Sequence, residues 1–385
     1  MLFSNPALDD SELEALAQID ELKERLRLQL HEPRRWVGSL RRLSFARALR
    51  GSNTIEGYEA DLDDAAAVAA GEEPLQAGDE TRLALEGYRD AMTFVLQLAG
   101  DEDFLYSEQL FKSLHFVMTS FDLKNRPGRW RTGAVWVRDE ETGLVVYEGA
   151  EVDDIPALMA ELVADLNRVD DTPMIVRAAM AHLNLVMIHP FKDGNGRMAR
   201  CLQSLVIARG GVLSPVFMSV EEYLGRASNT TDYYRVLQQV GAGRWAPERD
   251  ARPWVRFILT AHVRQARTML RRVRESERLW TELERLVAKA GLPERTLSPL
   301  FDAALGLRVR NGLYRAMLEE LEAITENTAS RDLKHLVEAG LLEPHGERRG
   351  RFYLATPALR DVYSQIASAR DPRDESDPLA IDSDQ

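Results

Sequence analysis

His189, Asp193, Arg197 and Arg200 fall in the stretch His189-Pro-Phe-Lys-Asp-Gly-Asn-Gly-Arg-Met-Ala-Arg200, and each brings a different chemistry. An imidazole is the one group here that accepts a proton near neutral pH, so His189 is a candidate general base. Gly194 and Gly196 let backbone N–H groups converge, and a helix starting at this point adds its own unpaired N–H groups and positive dipole end. Such a loop is a nest for phosphate. Arg197 and Arg200, three apart on the new helix, share a face, and two guanidiniums over a nest suit a polyphosphate. Asp193 supplies one hard carboxylate, and Mg²⁺ on a nucleotide takes only one or two from protein. Phe191 reads as a packing anchor and Lys192 as a solvated side chain. The run Gly194-x-Gly-x-x-Ala199 mimics a dinucleotide fingerprint, but that pattern follows a strand, whereas a helical pattern and His-Pro precede it here. With no Gly-Lys pair in the chain, there is no Walker A loop.

These side chains need two helices to hold them. From Pro173, apolar Val176, Ala179, Leu183, Val186 and Met187 recur at helical spacing; after the loop Met198, Cys201, Leu202 and Leu205 do the same. Helical spacing also covers 11–24, 104–118, 156–167, 255–286 and 313–322, so the expected fold is mainly α. Period-two alternation marks one hairpin at Gly133–Tyr147, around Asp-Glu-Glu-Thr-Gly, and a second where Gly346–Gly350 separates Leu341-Leu342 from Arg351–Leu354. The chain of 385 residues is expected to divide into an N-terminal helical region (1–100), a central core (101–245), connecting helices (246–290), a C-terminal module (291–369) and an acidic tail (370–385).

Composition excludes whole classes. Apolar residues make up 45% and charged residues 29%, which rules out a disordered or collagenous chain. Cys201 is the only cysteine, so no intrachain disulfide or cysteine zinc site exists. A formal net charge of −13 argues against a surface that coats nucleic acid or anionic membrane. No apolar stretch reaches the roughly 18 residues of a spanning helix, and the first residues lack a signal-peptide pattern, so a cytoplasmic protein without membrane contact is expected.

The stretch 189–200 resembles the signature of the Fic family, His-Pro-Phe-x-Asp/Glu-Gly-Asn-Gly-Arg-x-x-Arg, at every fixed position. Leu114-His115, Gly128-Arg-Trp-Arg131, Tyr233-Tyr234-x-x-Leu237 and Trp254-x-x-Phe257 extend the similarity over roughly 105–260. The resemblance implies an all-helical Fic fold with a β-hairpin flap, and transfer of AMP from ATP to a Ser, Thr or Tyr hydroxyl of a protein, self-modification included. By that resemblance His189 takes the hydroxyl proton and Asp193 holds Mg²⁺. Gly194, Asn195 and Gly196 stabilise charge on the phosphates, Arg197 and Arg200 orient them, and Phe191, Tyr233 and Tyr234 complete the nucleotide site. Val135, Trp136, Val137 and Tyr147 would form the flap that aligns the target by strand addition. Tyr147-Glu-Gly-Ala stands where family members often carry Pro-Pro, and the hairpin also reads as a plain surface ribbon.

Ser52-Asn-Thr-Ile-Glu56-Gly57 reads by itself as a capping box with Gly57 as a helix stop. It is also similar to the family's inhibitory pattern, Ser/Thr-x-x-x-Glu-Gly/Asn. That similarity implies that Glu56, on one helix face with Ser52, pairs with Arg200 and takes it from the γ-phosphate. Residues 312–354 look like a winged helix-turn-helix, with Asn327, Ser330, Arg331 and Lys334 exposed on its second helix and Arg348, Arg349 and Arg351 on its wing. DNA and a protein partner are equal expectations for it. Arg264, Arg267, Arg271, Arg272, Arg274 and Arg278, interleaved with glutamates, read as a solvated or dimer-facing helix. Three functions follow: a restrained protein adenylyltransferase; a DNA-binding regulator that senses nucleotide with the same loop; and a de-AMPylase or a transferase of another nucleotide.

Overall fold

The computed structural model describes all residues except 32–33, 139–144, 212–216, 319–322, 348–349, 371–375 and 381–385. The N-terminal part folds as α1 (Asp10–His31), α2 (Arg35–Thr54), α3 (Leu62–Ala69) and α4 (Asp79–Leu98). α5 (Glu108–Thr119) leads to a hairpin of β1 (Trp136–Arg138) and β2 (Val145–Glu148), followed by α6 (Ile155–Leu166), α7 (Met174–Ile188), α8 (Asn195–Ala208), α9 (Glu221–Leu224) and α10 (Ala227–Gly241). The rest is α11 (Arg252–Lys289), α12 (Leu297–Ala304), α13 (Asn311–Leu318), α14 (Glu326–Glu338), a second hairpin of β3 (Leu342–His345) and β4 (Phe352–Ala355), and α15 (Pro357–Ser368).

Local chemistry sets the element ends. Ser107 accepts the Leu110 N–H and starts α5 at 108, later than the apolar spacing alone implies. α7 ends on His189, whose φ of +54 turns the chain sharply, and Gly194, at φ +75, opens α8. α7 is apolar on nearly every side because it is buried on both: Val176, Ala179 and Leu183 join one core with α1 and α11, while Ala178, Ala181 and Leu185 join another with α4, α5, α6 and α8. The second core is centred on Tyr88, Phe111, Leu162, Phe191 and Leu202, directly beneath the loop 189–194.

The proposed border at 241–253 is a loop, yet the first core crosses it without a break. Trp254, Leu283, Phe301 and Leu333 belong to one apolar cluster, and α11 is a single helix of 38 residues that ends at Lys289, next to the expected junction at 290. In the C-terminal module α13 and α14 are followed by the β3–β4 hairpin, with Val309 bridged to Tyr353. α14 buries Ala329, Leu333 and Leu336 and exposes Asn327, Ser330, Arg331 and Lys334, as its spacing predicts. Arg348 and Arg349 lie outside the described residues. Among the described residues no helix is long and apolar enough to cross a membrane.

Candidate active site

Between α7 and α8 the chain makes a tight loop that braces itself. Asn195 donates from Nδ2 to the Phe191 carbonyl and accepts the Phe191 N–H on Oδ1, both at 2.9 Å. This reciprocal pair occupies the Asn195 side chain, so what Asn195 turns toward an anion is its backbone N–H, one of the unpaired N–H groups in the first turn of α8. Phe191 is fully buried and stacks face to face on His115, ring centroids 3.7 Å apart. A Cβ on Gly194 would meet Thr119 at 3.0 Å and would sit on a left-handed backbone, so glycine is required there.

His189 is held at the mouth of the loop. Its Nδ1 lies 3.2 Å from the Val186 carbonyl, which only accepts, so Nδ1 carries the proton and Nε2 keeps its lone pair. Burial pushes its pKa down to about 4, leaving the ring neutral at pH 7.

The two arginines differ. Arg197 is fully buried, yet its Nε and Nη1 have no partner among the described residues; its guanidinium lies 5.1 Å from the Tyr58 ring. Arg200, equally buried, donates from Nε to Ser52 Oγ (2.8 Å), and from Nη2 to the Ser52 carbonyl (2.9 Å) and to Glu56 Oε1 (2.6 Å). Burial opposes its charge, but the Glu56 carboxylate more than compensates and raises its pKa. Burial likewise pushes Glu56 up, and Arg200 and then Arg197 bring it below its ordinary value. Glu56 sits in the turn just past α2, not on the helix itself, because α2 ends at Thr54 and Gly57, at φ +82, turns the chain. Its carboxylate presses on the start of α8: a Cβ on Gly196 would come 2.3 Å from Glu56 Oε1.

Other expected site residues take up different posts. Tyr233 is buried, with its hydroxyl 3.0 Å from His182 Nε2, and belongs to the wall behind Arg200. Tyr234 donates to the Ile55 carbonyl (3.0 Å) and so anchors the turn carrying Glu56. In the hairpin, Trp136 opposes Glu148 and Val137 opposes Tyr147. Trp136 is exposed and donates to Glu148, and Val135 accepts the Gly149 N–H through its carbonyl. Tyr147 corrects the expectation of a docking surface: it is buried and donates to the Met187 carbonyl (2.6 Å), because strand alternation turns it inward to fasten the hairpin to α7.

Two residues that the sequence offered only as part of the resemblance, without a role, are positioning residues. His115 accepts the Gly128 N–H on Nδ1, so its Nε2 carries the proton and donates to the Asp193 carbonyl, both at 2.9 Å. Arg131 donates to the carbonyls of His189, Gly133 and Ala150, tying the loop to the hairpin. The Leu114-His115 pair and the Gly128-Arg-Trp-Arg131 run are the local signals for these two. Asp193 is 42% exposed at the loop mouth; its Oδ2 accepts from Asn125 (3.1 Å) and lies 3.7 Å from Arg197 Nη2. That leaves carboxylate oxygen capacity open to solvent, which fits a single hard ligand for Mg²⁺. The acidic group Asp61, Asp63 and Asp64 is a different case. Asp64 accepts three backbone N–H groups, from Leu75, Gln76 and Ala77, and Arg308 pairs with both Asp63 and Asp64.

Residues 105–207 match the model of the Fic/DOC family. It is 38% identical over 121 residues to the protein adenylyltransferase fic-1 of Caenorhabditis briggsae, a match covering 29% of this chain and 21% of that one. Over 140 residues it is 32% identical to the protein adenylyltransferase Fic of Nematostella vectensis, covering 34% and 26%. The chain thus spans about a fifth to a quarter of the length of these relatives. A crystal structure of a Fic family protein from Desulfovibrio desulfuricans G20 shares the fold over 92% of this chain and 98% of its own, with TM-score 0.57 and 22% identity. The structure of residues 134–508 of Caenorhabditis elegans Fic-1 does so over 67% and 72%, with TM-score 0.52 and 23% identity.

Proposed function

We propose that this chain is a protein adenylyltransferase that moves AMP from ATP to a side-chain hydroxyl, and that Glu56 restrains it. The observation that carries the reading is the placement of Glu56 Oε1, 2.6 Å from Arg200 and against Gly196, at the helix terminus where a terminal phosphate has to sit.

With Glu56 in place, Nε and Nη2 of the buried Arg200 are taken by Ser52 and Glu56 and a carboxylate occupies the anion position, so a triphosphate must either displace it or bind out of line. With Glu56 withdrawn, Arg200 regains free donors beside those of Arg197, and the first N–H groups of α8 complete a cradle for the phosphate chain. His189 Nε2, neutral and unencumbered, then takes the proton of the incoming hydroxyl as its oxygen attacks the α-phosphorus, and pyrophosphate leaves. The nest stabilises the charge that develops on the transferring group. Asp193 would hold Mg²⁺, which neutralises phosphate charge when bound. The exposed edge of β1, with Trp136, offers the target backbone a strand to pair with.

Incubation with ATP labelled at the α-phosphate tests this. Glu56→Gly is expected to raise incorporation by about 5–150-fold, the span of a 1–3 kcal/mol coupling, and His189→Ala in that background to lower it by about 10²–10⁴. A Glu56→Gly protein that transfers nothing overturns the function, and transfer surviving His189→Ala overturns the base.

A further inference from the structure

The inhibitory pattern that the sequence suggests stops at Gly57, but the structure carries the contact with α8 one residue further. Tyr58 sets its ring against the Arg197 guanidinium, 5.1 Å from the ring centroid. Phe121, just past α5, backs the same ring edge to face, with centroids 6.5 Å apart at 84°. Burial raises the Tyr58 phenol, so the ring meets Arg197 as a neutral π-face and not as an anion.

Arg197 has a use for such a neighbour. It is 1% exposed, and among the described residues neither its Nε nor its Nη1 finds an acceptor, while Nη2 lies 3.7 Å from Asp193 Oδ2. A buried guanidinium with two unmade hydrogen bonds is costly, and a cation–π contact offsets part of that cost without supplying an acceptor. An anion at Nε and Nη1 therefore gains bonds that the ring cannot give. At 1% exposure no phosphate oxygen reaches those atoms until a neighbour moves.

The neighbours differ in how they are held. His115 and Thr119 are tied into α5 and the loop: Thr119 donates to the His115 carbonyl at 2.7 Å, and His115 to the Asp193 carbonyl at 2.9 Å. Tyr58 instead rides on the turn that carries Glu56. The Glu56 and Tyr58 N–H groups both donate to the Asn53 carbonyl, at 3.0 and 3.1 Å, and the Gly57 N–H donates to the Thr54 carbonyl at 3.1 Å. Residues 53–58 are thus one compact unit, touching Arg200 through a carboxylate and Arg197 through a ring.

We propose that Tyr58 is a second restraint beside Glu56, a cover on Arg197 that hinders a polyphosphate from reaching its donors, so that one turn holds both arginines of the site; this rests on the adenylyltransferase reading above. Withdrawal of the turn frees both at once. The full chain bearing Glu56→Gly is the reference for the test, because any effect that Tyr58 exerts only by steadying Glu56 vanishes there. In it, Tyr58→Ala is expected to tighten binding of α,β-methylene-ATP, a non-transferable analogue, by about 2–30-fold in calorimetry, the span of a cation–π contact. Tyr58→Phe, which keeps the ring, is expected to leave the affinity unchanged. Equal or weaker binding after Tyr58→Ala overturns the proposal, as does Tyr58→Phe behaving like Tyr58→Ala. A second readout needs no nucleotide: labelling of Arg197 by phenylglyoxal, followed by peptide mass spectrometry, should be severalfold faster in Tyr58→Ala than in Tyr58→Phe, and equal rates overturn the cover. If no variant binds the analogue while the difference in labelling persists, the adenylyltransferase reading falls and the cover on Arg197 stands.

Discussion

The loop 189–200 and the segment 51–58 meet through Arg200, which donates to Ser52 twice and to Glu56, but they are held in different ways. Residues 189–195 are braced from within 105–207, by the Asn195–Phe191 pair, the His115 bond to Asp193, and Arg131 on the His189 carbonyl. Apart from its bonds to Arg200 and the ring contacts of Tyr58, the segment bearing Glu56 is fastened by elements outside residues 105–207. Gly51 lies backbone to backbone against α9, where a Cβ would meet the Glu221 carbonyl at 2.3 Å and one on Gly225 would meet Gly51 at 2.4 Å. Arg42 of α2 pairs with buried Asp302 of α12, and Arg308 of the C-terminal module pairs with Asp63 and Asp64 on the helix that follows. On the proposed function, chemistry is assembled locally, while restraint is anchored in the remainder of the chain. Substitutions in the two regions are therefore expected to move transfer in opposite directions.

The largest effect is expected at the loop. Asn195→Ala removes both halves of the clamp on Phe191, and displacement of the nest by about 1 Å is worth about 10²-fold. In the Glu56→Gly background, labelled-ATP incorporation should fall by about that factor with helix content unchanged by circular dichroism. Unchanged transfer would show that the clamp is dispensable. Next comes Gly51→Ala, which drives a methyl into the α9 backbone and costs about 1–3 kcal/mol of packing. Transfer by an otherwise unaltered chain should rise about tenfold while the melting temperature drops; a drop in both would place α2 on the catalytic side of the comparison. Arg308→Ala is expected to raise transfer only a few-fold, because Asp64 keeps its three backbone donors. No change would detach the C-terminal module from the restraint.

The smallest effect is an expected constancy. His189, depressed to about 4 by burial, protonates only as pH falls through that value. Glu56, pushed up by burial but drawn below 4.5 by Arg200 and Arg197, remains ionised above it. Base and restraint both persist from pH 5 to 8, so the ratio of Glu56→Gly to unaltered activity should be flat there. A ratio that bends near 6.5 would mean that the His189 environment opens before reaction.

What was legible in the sequence was whatever lies close along the chain. The loop signature, the α7 and α8 faces, both hairpins and the exposed side of α14 all follow from spacing and turn residues, and the structure shows each of these elements. The Ser52–Glu56 contact with Arg200 spans more than 140 residues and came from resemblance, since spacing alone read the segment as a capping box. His115 and Arg131 act through contacts across 58 to 78 residues, and no periodicity announces those. Tyr147 was misread because alternation tells which residues share a strand face, not which face is inward. The division at 246–290 was drawn from turn-forming residues; α11 ends at Lys289, and its burial depends on partners as distant as α1 and α12, which no local pattern announces.

One backbone angle carries a consequence for how freely this protein can vary. His189 adopts φ +54, a conformation that a side chain with a Cβ disfavours by about 1–2 kcal/mol and that glycine enters at no penalty. Folding free energy alone would favour glycine at the first position of the loop, and on the proposed function it is turnover that keeps an imidazole there. A lineage released from the need to transfer nucleotides is therefore expected to lose His189 early, drifting toward a more stable, inert form that retains the phosphate nest.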